Sequence, residues 1–310
     1  MILRPANIAE LSNLLSCANT QGEKVSSVDL SALNRVLEHK AEDMTATVEA
    51  GMTLADFQKQ LSTLGQWLPI DPPHSEKLSI GDLLSANLSG PRRFGYGTVG
   101  DYLIGIKVVL ADGRVISPGG KVVKNVAGYD LAKLFIGSRE SLGVIVEATF
   151  KLRPLPEAES IIGKKCGSLN EADALIESVL NSELTPTVLD LHNLSDQKPS
   201  LVLGFAGTRE EVEWQSVKAR ELGFNETTSL GYESQFWTDT TPIHRLSVLP
   251  SKIIETIQML KDVPFIARAG NGIIYYRGEK VPQKSDLPVE LLQRLKQEFD
   301  PKNILSELPL

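Results

Sequence analysis

The sequence predicts an α+β protein of two domains. Its 310 residues are about twice the ~150 that a typical domain contains. Pro154 and Pro156 follow a predicted strand at residues 144–152 and separate residues 1–154 from residues 155–310. Beyond this boundary, strand-like and helix-like segments alternate. Antiparallel strands with helices across one face explain that alternation, so we predict a small antiparallel α+β domain there.

The first domain is predicted to open with a capped helix and to contain a β-hairpin. Asn7 can cap a helix in which Glu10 is the capping-box partner. A strand is predicted at residues 45–49, and Thr53 can cap the helix that follows it. Asp112-Gly113 lies between two β-branched runs, which is the strongest short signal for a hairpin. Strands and helices are therefore expected in both domains.

Composition and charge exclude several classes of protein. Hydrophobic residues make up 42% of the chain and charged residues 23%, and the net charge is −7. An acidic chain has no global attraction to nucleic acid or to anionic membranes. Two cysteines and four scattered histidines cannot build an iron–sulfur or zinc site. The N-terminal residues lack the apolar region of a signal peptide, and we expect a cytoplasmic location.

Gly95, Gly97 and Gly100 match the dinucleotide-binding pattern G-x-G-x-x-G. That motif requires a strand before the glycines and a helix after them. Here the preceding residues do not form a predicted strand, and the following ones are β-branched and lead into the hairpin. A Rossmann site is therefore not predicted. Two interpretations remain: a flexible surface loop, or a segment whose backbone amides approach a ligand closely.

Longer phrases resemble a known flavoprotein family. Residues 45–115 contain TVEAGMTLADF and FGYGTVGDYLIGIKVVLADGRV, which resemble the FAD-binding domain of the vanillyl-alcohol oxidase/PCMH-type flavoproteins. Residues 119–156 read GGKVVKNVAGYDLAKLFIGSRESLGVIVEATFKLRPLP and resemble the small FAD-binding subunit of glycolate oxidase complexes. The resemblance covers residues 45–156 most strongly.

The resemblance implies a PCMH-type, two-lobed FAD-binding domain, here with a shortened first lobe, followed by a smaller α+β cap domain. It implies FAD as the cofactor and the oxidation of a 2-hydroxyacid such as glycolate as the reaction. The implied partners are a larger catalytic flavin subunit and an iron–sulfur subunit. Nucleic acid is not an expected partner, and peripheral contact with a membrane is expected only through the complex.

Carried over position by position, the resemblance implies a cofactor wall built mainly from backbone groups. Glycine-lined amides suit a diphosphate, and aliphatic side chains suit the face of a flavin ring. The implied cofactor-binding residues are Ser79, Ile80, Gly81, Asp82, Asn87, Ser89, Gly90, Tyr96, Gly97, Asp101, Gly143, Val144 and Ile145.

The chain departs from the family pattern at four places. The glycine-rich pyrophosphate loop, expected between Val25 and Ser26, is absent. Asp82 stands where the family phrase T-I-G-G has its last glycine. Arg139-Glu140 interrupts the phrase G-x-G-T-L-G, and Ser306 replaces the asparagine of a C-terminal Asn-Pro-Gly.

Two hypotheses follow from these departures. Losing about three charge-assisted hydrogen bonds, each worth about 1.5–3 kcal/mol, would weaken FAD binding by roughly 4–9 kcal/mol. The chain is then either an FAD-binding subunit of a 2-hydroxyacid-oxidising complex or a degenerate scaffold subunit without flavin. The missing loop favours the scaffold, and the intact phrase KVVKNVAGYDLAKLFIGS at residues 121–138 favours the flavin subunit.

No side chain receives a catalytic assignment from the sequence. His74 lies beside the predicted cofactor loop, where an exposed loop histidine is the alternative. Arg268 could face the flavin from the cap domain or form a salt bridge on a strand face. Lys124 and Asn125 could contact the cofactor or serve only the folding of their loop.

Overall fold

The computed structural model describes residues 1–120, 130–194, 198–282 and 287–309. Its helices are α1 (Ile8–Gln21), α2 (Leu54–Ser62), α3 (Ile80–Ser85), α4 (Arg93–Tyr96), α5 (Val99–Tyr102), α6 (Ala132–Phe135), α7 (Leu169–Leu180), α8 (Arg209–Glu221), α9 (Gly231–Thr238), α10 (Ile253–Met259) and α11 (Val289–Phe299). Helical 3-10 turns cover Pro250–Lys252 and Ala269–Asn271.

The strands form two large antiparallel sheets and two small ones. They are β1 (Ile2–Leu3), β2 (Ser27–Val28), β3 (Val36–Lys40), β4 (Thr45–Glu49), β5 (Gln66–Trp67), β6 (Leu103–Val109), β7 (Val115–Ile116), β8 (Val144–Lys151), β9 (Arg153–Pro154), β10 (Ala158–Lys165), β11 (Val188–His192), β12 (Ser200–Gly207), β13 (Glu226–Thr227), β14 (Ile243–Ser247), β15 (Phe265–Arg268) and β16 (Ile273–Arg277).

The first unit is built on a five-stranded sheet in the order β3-β4-β8-β6-β7. The predicted strand at residues 45–49 is β4, and the predicted hairpin joins β6 to β7. Gly113 supplies the positive φ of 87° that this turn needs. Asn7 caps α1 and Thr53 caps α2, because each side chain accepts a hydrogen bond from the amide three residues on.

The second unit is a seven-stranded sheet in the order β13-β10-β12-β11-β15-β16-β14. Helix α8 contacts β10 and β12, and α10 contacts α7 and β16. The predicted fold class, α+β with an antiparallel second domain, is confirmed. Helix α9 was not predicted from the sequence, although Tyr232 and Phe236 have the four-residue spacing of a helix face. These two side chains pack against Val202 and Ile266 of the sheet.

The C-terminal segment returns to the first unit. Ile304 and Leu305 belong to the core of the first unit, and the ring of Phe299 meets that of Phe135 edge-on with their centroids 5.6 Å apart. The division predicted after residue 154 falls at the end of β9 and stays a prediction. The core of the first unit therefore contains residues from both ends of the sequence, such as Leu3 and Leu305.

Met1 and Ile304 both contact the turn at Val25 and Ser26, where the sequence lacks the glycine-rich loop. The Val25 amide donates to the Ile304 carbonyl at 2.8 Å, and the Ser26 amide donates to the Met1 carbonyl at 2.8 Å. Strand β1 pairs in parallel with β2 just beyond this turn. The first lobe is therefore closed by short backbone contacts at the position of the loop.

Helix α4 joins the two units. The Phe94 ring packs directly over the α-carbon of Gly270, where any side chain would overlap it. The Gly95 amide donates to the Thr187 carbonyl at 3.1 Å, and Arg92 forms an ion pair with Glu159 at 2.9 Å. Among the described residues, no helix is both long and apolar enough to cross a bilayer.

Candidate functional site

Two open spaces lie between the units on the side of α9. The smaller, which we call the junction cavity, has a volume of about 360 Å³. It is lined by Pro73, His74, Lys77, Leu78, Asp82, Leu88, Ser89, Trp237 and Tyr275. The larger, which we call the α9 cleft, has a volume of about 750 Å³ and shares Pro73, His74 and Trp237 with the cavity. Both volumes are typical of small-molecule sites.

The junction cavity has mostly apolar walls. Leu78 and Leu88 come from the first unit, and Trp237 and Tyr275 come from the second. The Trp237 and Tyr275 rings meet at 68° with their centroids 5.1 Å apart. Flat apolar walls with a polar rim suit a planar aromatic ligand. Of the thirteen predicted site residues, Asp82 and Ser89 line this cavity.

The amides that open α3 are already paired. Ser79 caps the helix, and its hydroxyl accepts a hydrogen bond from the Asp82 amide at 3.0 Å. The Ile80 amide donates to the Met52 carbonyl at 2.9 Å, and the Gly81 amide donates to the Ala50 carbonyl at 2.8 Å. The Asp82 carboxylate accepts from the Ser79 hydroxyl at 2.7 Å. These atoms fix α3 against the turn after β4.

Gly90 lies where two backbone segments approach closely. A β-carbon at this position would overlap the carbonyl group of Asp71. The close approach lets the Arg92 amide and guanidinium reach the Asp71 carboxylate, the latter at 3.0 Å. Gly90 therefore shapes the floor of the α9 cleft.

Asp101 and Tyr96 stabilise the loop beyond α4. The Asp101 carboxylate accepts from the Thr98 amide at 2.7 Å and from the Thr98 hydroxyl at 2.8 Å. Gly97 adopts a φ of 86°, and a β-carbon there would lie 2.7 Å from the Asp101 carboxylate. Tyr96 meets Trp67 edge-on with their centroids 5.4 Å apart. Tyr96 lines a separate cleft, together with Phe94 and Gly95 of the same helix.

The remaining predicted site residues lie beside the loop between α6 and β8. Val144 and Ile145 are core residues of β8, and Gly143 leaves room for the Val108 side chain at 2.7 Å from the position of a β-carbon. Asn87 is exposed and adopts a φ of 50°. The site role of all thirteen residues stays a prediction. Lys124 and Asn125 lie outside the described residues.

Glu140 was not predicted, and it adds a carboxylate near Asp82. Burial, with a further contribution from the negative charge of Asp82, raises the pKa of Glu140 to about 7. Glu140 has a φ of 62° and Arg139 a φ of 49°, so two consecutive non-glycine residues are left-handed. In the sequence, the signal for this carboxylate was that Arg139 and Glu140 interrupt the family phrase G-x-G-T-L-G.

The raised pKa of Glu140 predicts that stability changes with pH. A carboxyl whose folded pKa exceeds its unfolded value of 4.5 stabilises the fold fully below about pH 4.5, and this contribution is lost as pH rises through about 7. We expect Glu140→Gln to raise the free energy of unfolding by about 1–2 kcal/mol at pH 8 and to change it little at pH 4.5.

The check is urea unfolding of both proteins between pH 4.5 and pH 8. Glu42→Gln is the matched control, because Glu42 lies in the turn between β3 and β4, away from Asp82. The prediction would be contradicted if the free energies of unfolding of E140Q and the parent protein differed by the same amount at every pH.

The α9 cleft holds a partly buried charge pair, Asp71 and Arg92, that the sequence did not predict. The Asp71 side chain is 18% exposed and pairs with Arg92. Burial raises the pKa of Asp71 to about 7, against the opposing effects of Arg92 and Arg268. Arg92 also lies over the Trp67 ring, 5.8 Å from its centroid. His74 is half exposed at the rim of both spaces, where its ring lies 3.9 Å from the Glu76 carboxylate.

Arg268 forms salt bridges, as one of its two interpretations predicts. Asp190 and Arg268 are direct cross-strand partners on β11 and β15, so both face α9. The Arg268 guanidinium bonds the Asp190 carboxylate and, at 2.6 and 2.9 Å, the Glu233 carboxylate. Tyr232 donates to Asp190 at 2.6 Å. This network fixes Glu233 at the wall of the α9 cleft.

The site fits the two ends of FAD unequally. The junction cavity offers apolar and aromatic walls that suit a flavin ring. The diphosphate needs donors, whereas the α3 amides are paired and Asp82 and Glu140 add carboxylates beside them. Within the described residues, the surroundings of α3 therefore fit the ring and do not provide a diphosphate cradle.

Comparisons with known proteins show a matching domain and a shared fold. Residues 21–119 match the FAD binding domain family. A solved structure of alkyldihydroxyacetonephosphate synthase superposes with a TM-score of 0.75 at 18% identity, over 98% of this chain and 75% of that one. That likeness establishes the fold. Residues 21–119 thus form an FAD binding domain, and the predicted cofactor, FAD, is confirmed.

Two of the sequence relatives are glycolate oxidase subunits. The glycolate oxidase subunit GlcD of Bacillus subtilis is 36% identical over 171 residues, which are 55% of this chain and 36% of the relative. The glycolate oxidase subunit GlcE of Escherichia coli is 34% identical over 146 residues, 47% of this chain and 41% of the relative. The chain thus spans less than half of the length of either relative. Part of the chain is therefore similar to part of each of these glycolate oxidase subunits.

Proposed function

We propose that this chain is an FAD-binding subunit of a complex that oxidises glycolate or a related 2-hydroxyacid. The observation that carries the proposal is the match of residues 21–119 to the FAD binding domain, next to an apolar cavity with room for a flavin ring. The relatives named as glycolate oxidase subunits support a multi-subunit enzyme. They favour the flavin subunit over the scaffold hypothesis.

The finer features of the proposal rest on the sequence predictions and on the family resemblance of residues 45–156. A larger catalytic flavin subunit and an iron–sulfur subunit are the proposed partners, and the proposed location is the cytoplasm. When bound, a flavin supplies a ring that accepts a hydride. This chain would hold the ring between Leu88 and the Trp237–Tyr275 pair. The donors that the diphosphate needs would come from outside the described surroundings of α3, and a partner subunit could supply them.

The test is the visible spectrum of the chain, expressed alone and together with the proposed partners. We expect yellow protein that releases FAD on denaturation, with higher occupancy in the complex. A colourless protein in both states would overturn the proposal.

A variant pair tests the position of the ring. Leu88→Trp should fill the junction cavity and lower flavin occupancy at least about tenfold, since the ring would lose its apolar contacts. Leu155→Trp is the matched control, because Leu155 lines the two other clefts and not this cavity. Thermal unfolding confirms that both variants fold. Equal flavin occupancy in L88W and L155W would mean that the flavin ring does not lie in the junction cavity.

A further inference from the structure

A buried lysine links the C-terminal segment to the loop between α6 and β8. The Lys296 ammonium donates to the Ser141 carbonyl at 2.9 Å, the Asp300 carboxylate at 2.6 Å and the Ser306 carbonyl at 2.9 Å. Lys296 is only 9% exposed. An ammonium group has three protons, so these acceptors use its full donor capacity.

Asp300 fixes the direction of this lysine. Its carboxylate is buried and also accepts from the Ile304 amide at 3.0 Å and the Leu305 amide at 2.9 Å. Ile304 in turn accepts from the Val25 amide at 2.8 Å. The C-terminal segment thus spans from the loop at Ser141 to the turn where the glycine-rich loop is missing.

The loop that Lys296 contacts is strained. Arg139 and Glu140 both have positive φ, at a cost of about 1–3 kcal/mol each for non-glycine residues. Such a conformation persists only when contacts on both sides hold it. On one side, the Arg139 amide donates to the Ser85 carbonyl of α3 at 2.8 Å. On the other side, the Ser141 carbonyl accepts from Lys296.

We propose that Lys296 is a positioning residue for the cofactor wall. Acting through the Ser141 carbonyl, it holds Arg139 and Glu140 in their left-handed conformation between α3 and α11. The segment held in this way leads directly into Gly143, Val144 and Ile145 and packs on the end of α3, so both ends of the predicted wall depend on it. This inference rests on the proposed function, because the wall is that of the FAD site.

The first test uses the full chain without a cofactor. Lys296→Met leaves the Ser141 carbonyl and the Asp300 carboxylate without their shared donor. Hydrogen exchange at the amides of Gly137 and Arg139, which donate to α3, should become at least about tenfold faster in K296M. Exchange in β11 and β15 of the second unit should not change. Lys296→Gln, which keeps a donor, is the second variant if K296M does not fold.

The second test uses FAD affinity, measured by flavin fluorescence with the chain in its complex. We expect K296M to raise the Kd for FAD about tenfold. In a Glu140→Gly background, glycine removes the strain at one of the two left-handed positions, so the effect of K296M should be smaller than in the parent protein. In a Glu140→Gln background, the carboxylate is lost and the strain is kept, so the full effect should remain.

The outcomes separate a positioning role from a merely structural one. An equal K296M effect in the E140G and E140Q backgrounds would overturn the proposal, and so would unchanged hydrogen exchange at Arg139. If the parent protein binds no FAD and K296M still speeds exchange at Arg139, the clamp is supported and the proposed flavin function fails.

Discussion

Replacing Arg268 with methionine is expected to lower the free energy of unfolding by about 3–5 kcal/mol at pH 8, because it breaks a buried ion-pair network. The Arg268 side chain is 2% exposed and bonds both Asp190 and Glu233. In R268M, Tyr232 still donates to Asp190 and Trp237 still donates to Glu233. The buried Asp190 carboxylate and the partly buried Glu233 carboxylate nevertheless lose their cation.

The measurement is urea unfolding followed by tryptophan fluorescence, with Arg114→Met as the matched control. Arg114 also pairs with an aspartate, Asp112, but its side chain is 72% exposed. Exposed pairs contribute about 0–1 kcal/mol, so R114M should unfold almost like the parent protein. If R268M lowered the free energy of unfolding by less than about 1 kcal/mol, the prediction would be contradicted. The ion pairs of Arg268 would then not offset the cost of burying the carboxylates.

The cost of R268M should also depend on pH. Burial raises the pKa of Asp190 to about 6 even with Arg268 present, and losing the cation raises it further. Protonated Asp190 needs no cation, so the penalty should be smaller at pH 5 than at pH 8. A penalty that is constant with pH would show that lost packing, and not charge, causes the destabilisation.

Replacing Gly90 with alanine is expected to destabilise the protein by about 3 kcal/mol, near the upper end for overpacking. The added β-carbon would overlap the carbonyl group of Asp71, which is backbone and cannot rotate away. The segment carrying Asp71 must move, so its contact with Arg92 should weaken. The change therefore affects both stability and the floor of the α9 cleft.

The matched control for G90A is Gly231→Ala at the start of α9. A β-carbon there would lie 3.2 Å from the Ser229 hydroxyl, which is a side-chain atom that can rotate. We expect G231A to unfold within about 0.5 kcal/mol of the parent protein. Chemical denaturation of both variants is the measurement, and similar stability for G90A and G231A would refute the close-approach argument.

Local signals predicted much of the fold. Asn7 and Thr53 were predicted as helix caps and act as such, because capping depends on residues only a few positions apart. The hairpin at Asp112-Gly113 was predicted for the same reason. The return of Ile304 to the first core has no local signal, since its partners lie far away in the sequence.

The site was less predictable than the fold. Asp82 and Ser89, whose cofactor-binding role stays a prediction, line the junction cavity, whereas the sequence did not single out Trp237 and Tyr275 on the opposite wall. Their position depends on how the second unit packs against the first. The pairing of Asp71 with Arg92 depends on the approach allowed by Gly90, which the spacing in the sequence does not show.

The return of the C-terminal segment has a consequence for the order of folding. The second unit is continuous from β10 to β16, so it can complete its sheet while the chain is still being synthesised. The core of the first unit includes Ile304 and Leu305, so it stays incomplete until these residues have left the ribosome. We therefore expect the flavin-binding half, although it is translated first, to reach its final packing last.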